Sequence, residues 1–434
     1  MTALRRPRYI APDTGRRDRA TRYPDCAVRT RQPFHATGLL LALIPAPLVA
    51  QDGAATVRLS GEVRLRAEGD GRTANFGDDA ATLSRIRLGA SVAARPWLRV
   101  FVQLQDARAW GTESNTLTDA SADQLDLHQG YVEIDGLGVT ARLGRQELNL
   151  GDERLVGSVG WTNTARSLDG AVVSRALGRA EVRAFWMAVA ERDVLLATGL
   201  DPHDNEGLDE DGWLLGGWAA FPAGPATVEL TLLHDRNALT DQSWTAGLRA
   251  HGRTSSLLFE AAGAYQFGAD RAAYLASGLI GAAVGRATLA AQVDWLSGDG
   301  NPADADRGAF HTLYATNHKF YGFMDYFLAF PAQTQNAGLV DGMARASIAL
   351  PAGWRARADL HHFSTQREVT GNRFLGIEGD LVVGRAIAPT AAFEAGASAF
   401  SPGDLSQTLL PAFARGTDDV TYWGYVMLTV RFAQ

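Results

Sequence analysis

The chain has 434 residues, of which 46% are hydrophobic and 21% are charged, and its formal net charge is −7. This acidic balance argues against nucleic acid as a partner, because proteins that bind nucleic acids present a net basic face to the phosphates. Past residue 50, no apolar run approaches the roughly 18–20 residues that a transmembrane helix needs. The composition therefore excludes a helical membrane protein and leaves a soluble protein or a barrel in which apolar and polar residues alternate.

The N-terminal region has the order of features found in an export signal. Nine arginines precede an apolar stretch from Gly38 to Val49, and Ala50 follows as the small residue of a candidate cleavage site. Basic, apolar and small segments in that order are typical of a signal peptide. We expect residues 1–50 to be a signal peptide with a basic extension, and residues 51–434 to form one barrel domain. The basic lead is longer than usual, which suggests that translation starts downstream, near Val28. The alternative to a signal peptide is a disordered tail with a chance apolar patch.

Cysteine and lysine are almost missing from the sequence. Cys26 is the only cysteine and lies in the segment expected to be removed, so residues 51–434 can form neither a disulfide nor a cysteine metal site. Lys319 is the only lysine. Any basic site in the exported chain must therefore be built from arginine.

From Thr56 onward, segments of about ten residues alternate apolar and polar side chains, which is the pattern of half-buried strands. In Trp97–Asp106, for example, Leu98, Val100 and Val102 share one face. About 18 such segments occur. Their approximate bounds are 56–68, 82–94, 97–109, 125–134, 138–148, 168–176, 179–190, 211–221, 225–235, 241–251, 253–267, 271–283, 286–297, 339–350, 353–364, 373–385, 388–400 and 417–432.

The connections between these segments differ in length according to their parity. Those after even-numbered segments are short, whereas most of those after odd-numbered segments are long and polar. The long connections are 69–81, 110–124, 149–167, 191–210, 298–338 and 401–416. A soluble sandwich has no reason to sort its loops this way. The pattern predicts an all-β fold, a single transmembrane antiparallel β-barrel of about 18 strands in the bacterial outer membrane, with short periplasmic turns and long extracellular loops.

Aromatic residues support a membrane location. Tryptophan and tyrosine lie near segment ends, where their rings can straddle the membrane interfaces. The final segment alternates up to Phe432, which resembles the C-terminal targeting strand of outer-membrane proteins. Both features favour the barrel over a soluble fold.

No catalytic motif is present, and we expect no enzymatic activity and no cofactor. The sequence has no GxSxG, no HExxH and no phosphate-binding glycine loop. His361 and His362 are adjacent on a predicted strand, so their rings point to opposite faces. A dense acidic loop is a weak Ca²⁺ candidate, because Ca²⁺ takes several carboxylate oxygens, but a solvated loop is the preferred explanation. The candidate ligands there are Asp204, Asp209 and Asp211.

Charged residues occupy the face opposite the apolar one, which we assign to the barrel interior. The predicted inward arginines are Arg58, Arg64, Arg66, Arg85, Arg87, Arg99, Arg142, Arg183, Arg249, Arg345, Arg355, Arg357 and Arg431. The acidic residues expected to face them are Glu62, Glu229, Glu260, Asp294, Asp359, Glu378 and Asp380. One interpretation is that these charges pair and brace the barrel. The other is a cationic passage for substrates that carry carboxylates, including Asp359 among its lining residues.

Three patches resemble the alginate export family of outer-membrane proteins. The main one runs from Gly144 to Gly170 and contains GRQE, GDERLVG and WTNTARSLDG; the others are GFMDYF at 322–327 with GLVD at 338–341, and RIRLG at 85–89 with VQLQD at 102–106. The resemblance implies an 18-stranded monomeric barrel through which an anionic exopolysaccharide leaves the cell by an electropositive, loop-gated constriction. The residues that match the main motif are Arg145, Glu147, Asp152, Arg154, Arg166 and Asp169. Two roles are open for them: an arginine–carboxylate clasp that folds the loop inward, or contact with substrate.

The leading functional hypothesis is a channel that exports an anionic exopolysaccharide such as alginate. A general or anion-selective uptake porin is the alternative, and an exported all-β enzyme acting on polysaccharides comes third. The expected partners are the anionic polysaccharide, outer-membrane lipid with lipopolysaccharide, and a periplasmic export scaffold.

Overall fold

The fold is taken from a computed structural model, which describes residues 55–72, 79–110, 125–190, 212–236, 242–268, 270–301, 303–410 and 419–433. The expected signal peptide and the Ca²⁺ candidates Asp204, Asp209 and Asp211 lie outside these residues. None of the helices in the described part of the chain is long and apolar enough to cross a membrane.

Eighteen antiparallel strands form one closed barrel, as the alternation predicted. Each strand pairs with the next along the chain, and β18 pairs with β1 to complete the wall. The strands are β1 Thr56–Asp70, β2 Asp79–Arg95, β3 Leu98–Ala109, β4 Leu125–Gly136, β5 Val139–Gln146, β6 Leu168–Leu177, β7 Ala180–Ala190, β8 Gly212–Ala223, β9 Ala226–Arg236, β10 Ser243–Arg253, β11 Leu257–Gly268, β12 Arg271–Val284, β13 Ala287–Leu296, β14 Leu339–Ala349, β15 Trp354–Val369, β16 Asn372–Ala388, β17 Ala391–Pro402 and β18 Thr421–Ala433.

Side chains alternate between the two faces of the wall, as strand geometry requires. On β1, Val63 and Leu65 are 36% and 40% exposed, whereas Arg64 and Arg66 between them are each 4% exposed. The exposed aliphatic side chains lie on the outer surface, where lipid covers them, and the guanidinium groups lie inside. The predicted assignment of the apolar face to lipid is therefore confirmed for this strand.

Loop length separates the two ends of the barrel. The turn between β4 and β5 consists of Leu137 and Gly138, whose φ angles are +54° and +74°. Positive φ at both central residues is the geometry of the tight hairpin turn that matches the twist of paired strands. The opposite end carries the long connections 147–167, here named loop A, and 297–338, here named loop B. We call these ends the turn side and the loop side.

Loops A and B both fold into the barrel and join there. Val156 and Tyr314 form a parallel backbone bridge, the amide of Tyr314 donates to the carbonyl of Leu155 at 2.9 Å, and the amide of Gly157 donates to the carbonyl of Tyr314 at 2.9 Å. Loop B also brings an apolar cluster into the interior. Its buried members include Phe310, Tyr321, Met324, Phe327 and Phe330, packed with Phe363 and Phe400 of the wall. The interior is thus partly a packed apolar core, which the sequence pattern did not predict.

Candidate channel constriction

One end of loop A is held by arginines of the first strands. Arg64 donates to the carbonyl of Gly160 at 2.8 Å, Arg85 donates to the same oxygen at 3.1 Å, and Arg66 donates to the carbonyl of Trp161 at 2.7 Å. Loop carbonyls taken away from water need such donors, because an unpaired buried carbonyl is costly. The predicted inward position of these three arginines thus serves to dock loop A on β1 and β2.

The other end of loop A is held on the opposite wall. Arg154 forms ion pairs with Asp294 of β13 at 3.0 Å and with Asp152 at 3.4 Å, and Asp152 lies 3.5 Å from Arg249 of β10. Burial disfavours the charged form of Arg154, but the neighbouring carboxylate of Asp294 outweighs burial and raises the pKa of Arg154. Loop A therefore crosses the interior from β1–β3 to β9–β13.

Loop B is fixed to the wall through its backbone. The amide of Met324 donates to Oε1 of Glu378 at 2.8 Å, and Arg72 donates to the carbonyl of Met324 at 3.0 Å. Gly322, with φ +81°, allows this approach, because a Cβ there would lie 2.5 Å from Oε1 of Glu378. The glycine of the GFMDYF patch is thus needed for loop B to reach β16.

Five side chains form a continuous stack that connects β1, both loops and β15. The guanidinium of Arg66 lies 4.1 Å from the ring centre of Trp161, which lies 4.4 Å from His318 at an interplanar angle of 10°. His318 lies 5.0 Å from Phe323 at 19°, and the guanidinium of Arg357 lies 4.8 Å from Phe323. Cation–π and ring-stacking contacts stabilise such an arrangement. We call these five residues the aromatic stack.

Most of the predicted inward arginines are paired with wall or loop carboxylates. Arg345 forms two hydrogen bonds to Asp359 at 2.7 and 2.8 Å, which is a bidentate arrangement. The other wall pairs are Arg66–Glu68, Arg85–Glu62, Arg87–Glu147, Arg99–Glu133, Arg142–Glu133, Arg183–Glu181, Arg249–Glu229, Arg249–Glu260, Arg357–Asp359 and Arg431–Glu62. The guanidinium groups of Arg58 and Arg355 have no hydrogen-bond or ion-pair partner among the described residues.

The residues of the main family-like motif separate into two groups. Arg166 donates to the carbonyls of Gly157 at 3.2 Å and Tyr314 at 2.6 Å, so it joins Asp152 and Arg154 in docking loop A. Burial lowers the pKa of Arg166, and Tyr314 opposes this only partly. The geometry of this group is that of a clasp.

Two other motif residues point outward and one points inward. Arg145 and Asp169 pair across β5 and β6 at 2.8 Å, and both are exposed. Glu147 follows the end of β5 and turns inward, where it lies 2.7 Å from Nε2 of His128 and 3.2 Å from Arg87. Burial raises the pKa of Glu147. The hydrogen bond from His128 and the positive charge of Arg87 lower it by more than burial raises it, so the pKa lies below its usual value.

The adjacent histidines take opposite sides of β15. His361 is buried inside and its Nδ1 lies 2.8 Å from Oδ2 of Asp341, whereas His362 lies 5.2 Å from the ring of Phe374 and is exposed. Within the described ranges, no group of three or more histidine, aspartate or glutamate side chains is placed to hold a metal ion.

A cationic cavity opens on the turn side. Its volume is about 850 Å³, and its charged lining residues are Arg253, Arg286, Arg355, Arg357, Arg385, Arg431 and Glu394. Oxygen Oε1 of Glu394 accepts a hydrogen bond from the hydroxyl of Tyr425 at 2.8 Å. We call this cavity the vestibule. Four of its charged lining residues, Arg253, Arg286, Arg385 and Glu394, were not predicted from the sequence. Arg253 lies two residues beyond His251 on the inner face of β10, so extending the alternation would have found it. Arg286 lies in a turn that carries no periodic signal, and Arg385 has the parity of the outward Leu381 on β16.

Part of the sequence matches a known protein family. Residues 51–205 match the model of the alginate export family. The resemblance seen in the sequence is therefore confirmed over this part of the chain, which includes β1–β7, loop A and the main motif. No curated protein matches the chain.

Solved structures share the fold. The outer-membrane protein OpdK from Pseudomonas aeruginosa is 11% identical, with a TM-score of 0.58 and coverage of 87% of this chain and 99% of that chain. OccK5 (OpdH) from the same organism is 9% identical, with a TM-score of 0.56 and coverage of 88% and 98%. OccD3 (OpdP) is 12% identical, with a TM-score of 0.58 and coverage of 88% and 91%. Together with the family match, these likenesses identify an outer-membrane transport channel.

Proposed function

We propose that this channel exports an anionic exopolysaccharide, such as the alginate for which the matched family is named, from the periplasm to the cell surface. The observation that carries the proposal is the vestibule on the turn side, where arginines outnumber acids. The guanidinium groups of Arg253, Arg286 and Arg355 have no hydrogen-bond or ion-pair partner within the described part of the chain. Unpaired guanidinium groups attract carboxylates and bind them in bidentate fashion.

The position of the positive charge supports the proposed direction of transport. In an outer-membrane barrel the short turns face the periplasm, so a polyanion made inside the cell meets the vestibule first. Beyond it, loops A and B narrow the interior, where the buried arginines Arg64, Arg66 and Arg85 hold loop A. This arrangement suits a flexible chain that carries one carboxylate per sugar unit. We further propose a monomer in contact with lipopolysaccharide, fed by a periplasmic scaffold, with no cofactor.

Uptake of small carboxylates is the second candidate function. One observation favours it: an OpdK structure with a TM-score of 0.57 and 11% identity was solved with vanillate, a small aromatic acid. The constriction formed by loops A and B is compatible with a small solute as well as with a polymer. Direction and substrate size therefore distinguish the two proposals.

The test uses the purified barrel in planar bilayers and in liposomes. We expect anion preference from the reversal potential in a salt gradient, and passage of fluorescent oligouronates of several sugar units. The variant Arg253→Gln/Arg286→Gln/Arg355→Gln should lose much of the anion preference, whereas Arg145→Gln, which removes one charge from the outer face, should keep it. Cation preference in the unaltered protein would contradict an anion channel, and passage of vanillate without oligouronates would favour uptake.

A further inference from the structure

Four outward side chains form a patch at the loop-side end of three neighbouring strands. They are Trp213 of β8, His234 and Arg236 of β9, and Trp244 of β10. On the same outward face, Leu215, Leu232 and Leu248 are exposed to lipid and lie closer to the turn side. The patch therefore comes just beyond the aliphatic band, at the level where an outer-membrane barrel meets the headgroups of the outer leaflet. We call these four residues the lipid-facing patch.

Three rings of the lipid-facing patch stack in a row across the strands. His234 is in register with Trp244, and their ring centres lie 4.4 Å apart at an interplanar angle of 27°. Trp213, on the strand at the other side of β9, lies 4.9 Å from His234 at 60°. All three rings are half-buried, so part of each faces the membrane interface. The face of an aromatic ring is apolar and carries partial negative charge, which suits the C–H face of a sugar ring.

Arg236 adds a positive charge beside this row of rings. It is in register with Trp213 across the β8–β9 pair, which places the two side chains next to each other. Its guanidinium has no hydrogen-bond or ion-pair partner among the described residues. The outward positions of strands β8–β11 also include no acidic residue in the part of the chain that the structure describes. The charge of Arg236 is therefore available to an anion of the surrounding membrane.

Outward arginines elsewhere on the wall are already neutralised. Arg145 of β5 donates to the two carboxylate oxygens of Asp169 at 2.9 and 2.8 Å. Arg108 of β3 lies 2.8 Å from a carboxylate oxygen of Asp106. Arg236 differs from both, because no acidic side chain of the described residues lies on its part of the surface. The lipid-facing patch is thus suited to an anion in a way that these paired arginines are not.

We propose that the lipid-facing patch binds the phosphorylated sugar headgroup of an outer-leaflet glycolipid, with a phosphate on Arg236 and a sugar ring against Trp213 and Trp244. The inference rests on the contact with lipopolysaccharide proposed above and names the site of that contact. A guanidinium binds two oxygens of one phosphate at once. The acyl chains of the same lipid lie along the exposed leucines, such as Leu215. A polymer inside the barrel faces the other side of the wall and does not reach this patch.

The experiment titrates the purified barrel in detergent with lipid A and counts bound lipid by native mass spectrometry. Lipid A carrying both phosphates is compared with lipid A from which the phosphates have been removed. We expect the phosphorylated form to bind at least about tenfold more tightly, because a hydrogen bond to a charged group is lost without it. Phosphatidylglycerol, which has a phosphate but no sugar ring, and inorganic phosphate should each displace lipid A poorly at the same concentration.

Two pairs of variants assign the binding to this patch. Arg236→Gln should weaken the binding of phosphorylated lipid A roughly tenfold and leave that of the dephosphorylated form unchanged. Arg145→Gln, on another part of the outer surface, is the matched control and should bind as the unaltered protein does. Trp244→Leu should weaken both forms roughly two- to tenfold through loss of ring contact, whereas Trp295→Leu, an exposed outward tryptophan of β13, should not. Slower migration after heating on a denaturing gel verifies that each variant forms a barrel.

Each outcome bears on a separate part of the inference. Equal binding of the two lipid A forms, or equal affinity in Arg236→Gln and the unaltered protein, overturns the phosphate contact. Displacement of lipid A by phosphatidylglycerol or inorganic phosphate at the same concentration overturns the assignment to a glycolipid. Either result leaves the proposed export function intact as long as the channel prefers anions in bilayers. Cation preference in the unaltered protein contradicts export, and the titration with lipid A then decides the lipid site by itself.

Discussion

Arg154 and Asp294 form a buried ion pair at 3.0 Å, in which the carboxylate is fully shielded and the guanidinium almost so. The pair joins loop A to β13 in the part of the wall opposite β1–β3. The guanidinium also lies 4.0 Å from the ring centre of Phe320 in loop B. A contact of this kind fixes where loop A sits, because breaking it leaves a charge buried without its partner.

Asp294→Asn should release the distal end of loop A. Removing one partner of a buried ion pair usually costs about 3–5 kcal/mol. Arg154 would keep Asp152 as its carboxylate partner, at the longer distance of 3.4 Å. We expect faster hydrogen exchange at the amides of loop A that bond to loop B, such as Gly157, with little change in the barrel strands. Asp306→Asn in an exposed part of loop B serves as the control. Unchanged exchange in Asp294→Asn would show that the pair does not hold the loop.

Gly322→Ala should prevent loop B from docking on β16. Its Cβ would lie 2.5 Å from Oε1 of Glu378, and the φ of +81° disfavours any side chain there. Because Lys319 is the only lysine, a lysine-specific endoproteinase cuts the folded barrel at one place in loop B. We expect cleavage to accelerate at least about tenfold.

The matched control for this change is Gly342→Ala on β14, where a Cβ meets no atom within 4 Å. Cleavage at Lys319 should proceed there as in the unaltered protein. Equal cleavage rates in Gly322→Ala and Gly342→Ala would argue against a close approach between loop B and Glu378.

Acidification should loosen loop B through His311. Burial, together with the positive charge of Arg271, lowers the pKa of His311 from 6.5 to about 4, and its Nδ1 accepts a hydrogen bond from the amide of Leu313 at 2.9 Å. The released loop therefore binds a proton between these two pH values while the docked loop does not. Docking is strongest above pH 6.5 and weakens as the pH falls toward 4.

Hydrogen exchange of loop B across this range measures the effect. His311→Gln supplies an acceptor that does not titrate, so the pH dependence of exchange should disappear in that variant. Persistence of the same dependence in His311→Gln would assign it to another group.

Arg145→Ala should have little effect on stability or conductance. Its ion pair with Asp169 is exposed, and exposed pairs contribute about 0–1 kcal/mol. Chemical denaturation in detergent and single-channel conductance measure both quantities. A large loss of oligouronate transport would instead make Arg145 a substrate contact and revive that role for the outward part of the motif.

The wall of the barrel was predictable from sequence because period-two alternation is a local property of each strand. β12, for example, was predicted as 271–283 and runs Arg271–Val284. Strand ends were less certain where a strand rises above the membrane: β15 extends to Val369, although alternation predicted its end at 364. In the part of a strand that rises above the membrane, hydrogen-bonded pairing continues, but the outward side chains no longer face lipid and need not be apolar.

The constriction was only partly predictable. Inward arginines such as Arg64 were found by parity, but their use as donors to loop A depends on contacts between residues almost a hundred positions apart. Trp161, His318 and Phe323 belong to irregular loops, which have no period to read, so nothing local indicated that they stack. The apolar cluster around Phe327 and Phe363 was missed for the same reason.

Loop A also has a mechanical consequence for the barrel. A thin-walled tube flattens easily under sideways load, and a tie fixed to opposite walls resists that flattening. Through Arg66 on one side and Asp294 on the other, loop A is such a tie. The circular cross-section of the barrel and the narrowness of its interior therefore depend on the same contacts. Lateral pressure from the bilayer on the wall will strain those contacts.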